Sequence, residues 1–186
     1  MKNIALLSID VQKGFDDPSW GTRNNSDAEA NIELLIAEFR KKNLPVIHIQ
    51  HCSTEENSVL REDHPGNAYK TEGMPLAGEK QFQKSVNSAF IGTGLEEYLH
   101  GTDIESLVIV GLTTDHCVST STRMAGNLGF DVTLVSDATA TFNRIGHDGI
   151  EYSADDIHAI HLSSLNGEFC DVKSTQEVLV HFDSLL

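Results

Sequence analysis

Asp10, Lys84 and Cys117 are the residues of this chain whose types and placement suit covalent catalysis. Asp10 closes the apolar run IALLSI, Lys84 follows a short QFQ segment, and Cys117 stands in TTDHCVSTSTRMAG, where an apolar run gives way to a helical pattern. A thiol attacks as thiolate, and its ordinary pKa of about 8.5 leaves only a few per cent ionised near neutral pH. A helix N-terminus and a lysine ammonium both favour the anion. Cys117 is therefore expected at the start of a helix beside Lys84, with a pKa below that of a free thiol. Asp10, next to Lys84, is suited to take the thiol proton and later return it to a leaving amine.

Residues so far apart in sequence must be gathered by the fold. IALLSI (4–9), PVIHIQ (45–50), SLVIVGL (106–112) and VTLVS (132–136) read as buried parallel strands, apolar on both faces because helices cover both. Between the first two, SDAEANIELLIAEFRKKN (26–43) carries Ile32, Leu35, Ile36 and Phe39 at helical spacing. Ser26 and Glu29 are placed there as a capping box, and basic residues fill the last turn. Further helices are predicted over 93–100, 117–128, 153–165 and 174–186. This alternation predicts an α/β fold, a doubly wound, Rossmann-like parallel sheet flanked by helices. In such sheets ligands bind outside the carboxyl ends of the strands, which is where Asp10 and Cys117 fall. The stretch from Cys52 to Lys80 has no clear period and reads as a long functional or disordered loop. No repeat or linker divides the chain, so one domain over residues 1–186 is expected. GTGLEE lacks the third glycine of a dinucleotide fingerprint, and no phosphate-binding G-x-x-x-x-G-K is present.

Composition narrows the partners. With 13 Lys+Arg against 28 Asp+Glu, a net charge of -15 opposes nucleic acid and anionic membrane surfaces and leaves small molecules or other proteins. The three cysteines, Cys52, Cys117 and Cys170, form no C-x-x-C pair, which argues against a zinc cluster or a disulfide framework and for a reducing compartment. The N-terminal residues do not read as a signal peptide, and no stretch approaches the roughly 20 apolar residues of a membrane span. A cytoplasmic protein acting on a small-molecule substrate, without nucleic acid or membrane, is expected.

Asp10 after its apolar strand, Lys84 before NSAFIGTGLEEYL, and GLTTDHCVSTSTRMA together resemble the isochorismatase-like cysteine hydrolases, the superfamily of nicotinamidases and N-carbamoylsarcosine amidases. The resemblance runs from about residue 3 to about residue 140, and the cysteine motif is its most specific part. It implies the isochorismatase-like hydrolase fold with a six-stranded parallel sheet and an Asp10-Lys84-Cys117 triad. It further implies a cis peptide at Leu112–Thr113, an oxyanion hole from the backbone N–H groups of Thr113 and Cys117, and a homo-oligomer. Relatives resembling isochorismatase itself cleave a vinyl ether without needing the cysteine. Retention of Cys117 therefore favours hydrolysis of an amide, ureido or carbamoyl C–N bond through a thioester, with no cofactor. Nicotinamidases also carry an Asp/His metal site, but His48, His51 and His64 lack its D-x-H pattern, so no metal is expected.

Other residues are candidates for the substrate pocket. Phe15 and Trp20, in the loop after Asp10, suit an apolar wall. His51 ends the second strand on the same rim. His116 adjoins Cys117, but adjacent side chains on a helix diverge by about 100°, which suits a pocket residue better than a Cys-His dyad. Arg23 and Arg123 suit either a substrate carboxylate or this acidic protein's own surface, and Cys52 and Cys170 read as structural. The alternatives are a vinyl-ether hydrolase and a catalytically inactive small-ligand-binding protein of the same fold. A redox sensor is disfavoured because Cys117 has no resolving cysteine nearby in sequence.

Overall fold

The computed structural model describes residues 3–180. Its elements run β1 (Ile4–Ile9), α1 (Ala28–Lys41), β2 (Val46–His51), β3 (Lys80–Lys84), α2 (Leu95–Gly101) and β4 (Ser106–Leu112). A π-helical turn (Thr114–Val118), α3 (Ser119–Asn127) and β5 (Asp131–Ala140) follow. The chain continues through a short antiparallel hairpin of β6 (Arg144–Ile145) and β7 (Glu151–Tyr152), then α4 (Ala154–Leu165), β8 (Asp171–Lys173) and α5 (Thr175–Val180). Six strands form one parallel sheet in the order β3-β2-β1-β4-β5-β8. The helix predicted over 174–186 is seen as α5, and residues 181–186 lie outside the described residues. No helix among the described residues is long and apolar enough to cross a membrane.

Strand alternation divides the core between the two faces. Ile4 and Leu6 of β1 pack with Ile32, Leu35, Ile36 and Phe39 of α1 and Val178 of α5. Ala5, Leu7 and Ile9 face Leu95 and Leu99 of α2, Ala125 of α3 and Leu165 of α4. Every residue of β1 and β4 is buried, so the unbroken apolar runs IALLSI and SLVIVGL are what two-sided burial requires. Each buried Ile, Leu or Val among them contributes about 1.5–3 kcal/mol relative to exposure.

Several sequence expectations are corrected in detail. Helix α1 starts at Ala28 behind Asp27, with no side-chain cap, so Ser26 and Glu29 form no capping box. The Glu29 carboxylate instead accepts from Arg23 and Lys70, charged donors that outcompete a backbone N–H. Strand β5 runs on past Ser136 through a register shift against β4, where its polar residues disguise it. The stretch from Cys52 to Lys80 is an ordered loop with two 3-10 turns, and it buries Leu60, Asn67 and Lys70.

Strand order reverses between β1 and β4: β2 and β3 lie beyond β1 on one side, β5 and β8 beyond β4 on the other. The carboxyl ends of β1 and β4 thus flank the crevice where doubly wound sheets take their ligands. The two strands come unusually close there, because Gly111 has φ +126° and a Cβ on it would lie 2.0 Å from the Ile9 carbonyl oxygen. Only glycine fits that approach.

Candidate active site at the switch point

Four strands each deliver one residue to this crevice. Asp10 directly follows β1; its backbone turns into the left-handed region at φ 51°, a conformation Asp tolerates better than most residues. Its N–H donates to the Ile49 carbonyl at 3.0 Å, and its side chain is fully buried. Lys84 is the last residue of the edge strand β3. That strand is pinned where it begins, since the Glu79 carboxylate accepts from Arg40 at 2.7 and 2.9 Å and contacts His48 Nε2 at 2.9 Å. Cys117 lies in the π turn after β4, and His51 ends β2.

The four side chains meet at one nitrogen. Lys84 Nζ donates to Asp10 Oδ2 at 2.6 Å, to His51 Nδ1 at 3.1 Å and to Cys117 Sγ at 3.2 Å. An ammonium has three N–H groups, and each here has an acceptor. The second carboxylate oxygen, Asp10 Oδ1, is buried and has no hydrogen-bond partner among the described residues. The exposed Asn87, which sequence reasoning did not single out, has its Oδ1 3.8 Å from Cys117 Sγ.

The charge distribution corrects one sequence expectation. The Cys117 thiol is pushed up, not down: burial is the largest cause, the Asp10 carboxylate adds to it, and Lys84 opposes both without prevailing. The lysine charge is committed to Asp10, and the thiol sits in the π turn with little access to water. Desolvation was the contribution that position after a strand did not reveal. Burial and Asp10 therefore favour the neutral thiol. Burial disfavours the Lys84 ammonium, but Asp10 and Cys117 outweigh it and raise its pKa, so the ammonium persists. Burial, then the Lys84 charge, lowers the pKa of His51, which favours the neutral ring that accepts at Nδ1.

The remaining candidates lie farther out. The Leu112–Thr113 peptide is cis. The Thr113 carbonyl accepts from the N–H groups of His116 and Val118, both at 3.2 Å, which shapes the turn carrying Cys117. Phe15 and Trp20 stack with Phe142, which sequence reasoning missed, at centroid distances of 5.1, 6.4 and 5.5 Å among the three rings. This group packs on Leu60, Leu112 and Ala140 at the carboxyl edge of the sheet. His116 points to the surface with its Nε2 3.6 Å from Asp115 Oδ2. Arg23 is paired with Glu29, and Arg123 reaches Ser164 Oγ at 2.8 Å.

Metal-ligating atoms gather in one place among the described residues, Asp10, His51 and Cys117, all within 4.8 Å of one another. The Lys84 ammonium donates to all three residues, so a cationic group already stands where an ion would sit. His48 is engaged with Glu79, and His64 Nδ1 accepts from the Gly66 N–H at 3.0 Å. The arrangement suits proton transfer between a thiol and a carboxylate better than metal binding.

Known proteins share this architecture. Residues 4–177 match the Isochorismatase domain family. Over 178 residues the chain is 47% identical to the isochorismatase family protein YrdC of Bacillus subtilis, itself uncharacterized, spanning 96% of this chain and 95% of that protein. A crystal structure of an isochorismatase-family protein from Chromobacterium violaceum has 44% sequence identity and a TM-score of 0.94, covering 98% of this chain and 94% of that one. Nicotinamidase 3 of Arabidopsis thaliana is 28% identical over 160 residues, 79% of this chain and 78% of its own length.

Proposed function

The chain belongs to the isochorismatase family of hydrolases, and we propose that it cleaves a C–N bond in a small amide, ureido or carbamoyl substrate through a thioester on Cys117. The observation that carries this reading is the shared hydrogen bonding of Lys84 to Asp10 and Cys117, with Asp10 Oδ1 left unpartnered beside them. A relative whose name denotes hydrolysis of an amide supports it.

In the proposed sequence, the Cys117 thiol gives its proton to Asp10 as sulfur attacks the substrate carbonyl carbon. The carbonyl electron pair moves to oxygen, where the backbone N–H groups of Thr113 and Cys117 receive the developing charge. Lys84 lowers the cost of charge on sulfur and keeps Asp10 oriented. The tetrahedral intermediate collapses with cleavage of the C–N bond, Asp10 hands its proton to the departing nitrogen, and ammonia or an amine leaves a thioester. Water then attacks the thioester carbon while Asp10 takes one of its protons; the C–S bond breaks, the acid departs and the proton returns to sulfur. Burial and the Asp10 charge favour the neutral thiol, which suits proton transfer to Asp10 as sulfur attacks.

The test is a screen of primary amides, N-carbamoyl amino acids, ureido acids, nicotinamide and isochorismate, with intact-mass measurement after rapid acid quench. An acyl adduct on Cys117 from one of the C–N substrates, lost in Cys117→Ala, is the expected result. Turnover of isochorismate that survives Cys117→Ala, with no adduct from any amide, would replace this reading with vinyl-ether hydrolysis. Inertness toward every compound would favour a small-ligand-binding role.

A further inference from the structure

The geometry points to His51 as a positioning residue that aims the Lys84 ammonium at Cys117, rather than as a wall of the substrate pocket. This inference rests on the Asp10-Lys84-Cys117 chemistry proposed above. The side chains of Lys84 and Asp10 are both fully buried, so every N–H of the ammonium needs an acceptor from the protein. Asp10 Oδ2 takes one, Cys117 Sγ the second, and His51 Nδ1 the third, at 3.1 Å. The first is a short ion-pair contact, whereas a thiol sulfur is a weak acceptor. Without the third acceptor, nothing keeps the ammonium from turning onto Asp10 and leaving the sulfur.

Nδ1 of the half-buried imidazole is engaged by Lys84 at 3.1 Å, so that atom is not open to substrate. Accepting at Nδ1 needs a neutral ring, and burial together with Lys84 lowers the pKa in that direction.

The backbone behind His51 is held with unusual completeness. Strand β1 pairs with β2 only as far as Ile9 with Ile49, because Asp10 then turns into the left-handed region. The fully buried Gln12 takes over with its side-chain amide: Oε1 accepts from the His51 N–H at 2.9 Å, and Nε2 donates to the His51 carbonyl at 3.0 Å. A donor and an acceptor on one side chain thus stand in for the missing strand residue. Asn67, from the long loop after β2, adds a donation from Nδ2 to the same carbonyl at 2.9 Å. Gln12 and Asn67 are themselves joined, since Gln12 Nε2 donates to the Asn67 carbonyl at 2.7 Å. The ordered loop and the Asp10 turn therefore converge on the residue that aims Lys84.

The experiment compares His51→Asn, His51→Gln and His51→Leu. Asn places an amide oxygen at the position of imidazole Nδ1; Gln places its polar atoms one bond farther out, and Leu offers no acceptor. Second-order alkylation of Cys117 by iodoacetamide at pH 8, read by peptide mass spectrometry, needs no knowledge of the substrate, and circular dichroism reports the fold. His51→Leu and His51→Gln are expected to slow Cys117 alkylation about tenfold or more, as loss of a hydrogen bond to a charged group implies, and His51→Asn to recover most of the rate. Adding His51→Leu to Lys84→Met should slow it no further, because His51 acts through Lys84. Once a substrate is identified, the same variants should lower kcat with little change in KM. If Lys84→Met slows alkylation and His51→Leu does not, this inference fails while the catalytic reading stands. If Lys84→Met leaves alkylation unchanged, the catalytic reading itself fails. Should His51→Leu not fold, equal rates for the Asn and Gln variants would overturn the inference, and a clear advantage for Asn would sustain it.

Discussion

Glu29 and Asp10 are both buried or nearly buried carboxylates held by a lysine, yet their surroundings differ in kind. Glu29 Oε1 accepts from Arg23 Nη1 and Lys70 Nζ, both at 2.7 Å, and Oε2 accepts from Arg23 Nη2, so both oxygens are engaged. Lys70 also reaches Asp16. Asp10 has one oxygen on Lys84 and the other unpartnered, while Lys84 divides its donors among a carboxylate, an imidazole and a thiol. Leaving a buried acceptor unmet costs stability, and in the proposed mechanism this oxygen is the destination of the thiol proton. The Glu29 carboxylate, with both oxygens engaged, is fixed at the start of α1. The Asp10 carboxylate, at the switch point, keeps one oxygen unpartnered, as the proposed proton transfer requires.

The contrast is broken most severely by removing the reacting atoms. Cys117→Ala and Asp10→Asn should each lower kcat about a thousandfold or more, on whichever amide the screen identifies, and the double variant should be little worse than either single one. Additive, modest losses in steady-state assays would mean that these residues do not act as a unit. Next in size is Lys84→Met, which leaves the buried Asp10 carboxylate without its partner and should cost about 3–5 kcal/mol in urea denaturation. If stability is unchanged, Asp10 is not held as the geometry indicates.

The smallest effect sharpens the other side of the comparison. Burial alone would raise the pKa of Glu29, but Arg23 and Lys70 outweigh it and lower it from 4.5 to about 2. A carboxylate depressed in the folded state contributes stability above its unfolded pKa and loses it as pH falls toward the folded value. Glu29→Gln should therefore remove part of the acid sensitivity between about pH 4.5 and pH 2, cost about 1 kcal/mol at neutral pH and leave turnover unchanged. Loss of activity in this variant would show that the two networks are coupled.

How far these features can be read from sequence depends on the range over which each is determined. The central strands β1, β2 and β4 announce themselves because two-sided burial demands apolar runs. The edge strands do not: KQFQK in β3 is largely exposed, and β8 has three residues. Asp10 and Cys117 stand out because they follow apolar runs, whereas Lys84, on an edge strand, was marked only by its resemblance to a family pattern. Phe142 and the amides of Gln12 and Asn67 acquire their roles from partners distant in sequence. The reversal of the expected Cys117 shift has the same origin, since the neighbouring cation is visible in sequence and the extent of desolvation is not.

Gly111 separates what this protein can lose from what it cannot. Small substitutions at the buried Cys117, such as Ala or Ser, should yield folded molecules that lack the proposed nucleophile. At position 111 every other amino acid brings a Cβ to 2.0 Å from the Ile9 carbonyl oxygen, so nineteen of the twenty codon meanings are barred by backbone alone. On the proposed mechanism, chemistry at this crevice would be erased by a single mutation and restored by its reversal. The crevice itself has no comparable path of gradual change, and a lineage that abandoned hydrolysis would still inherit an intact cleft open to another use.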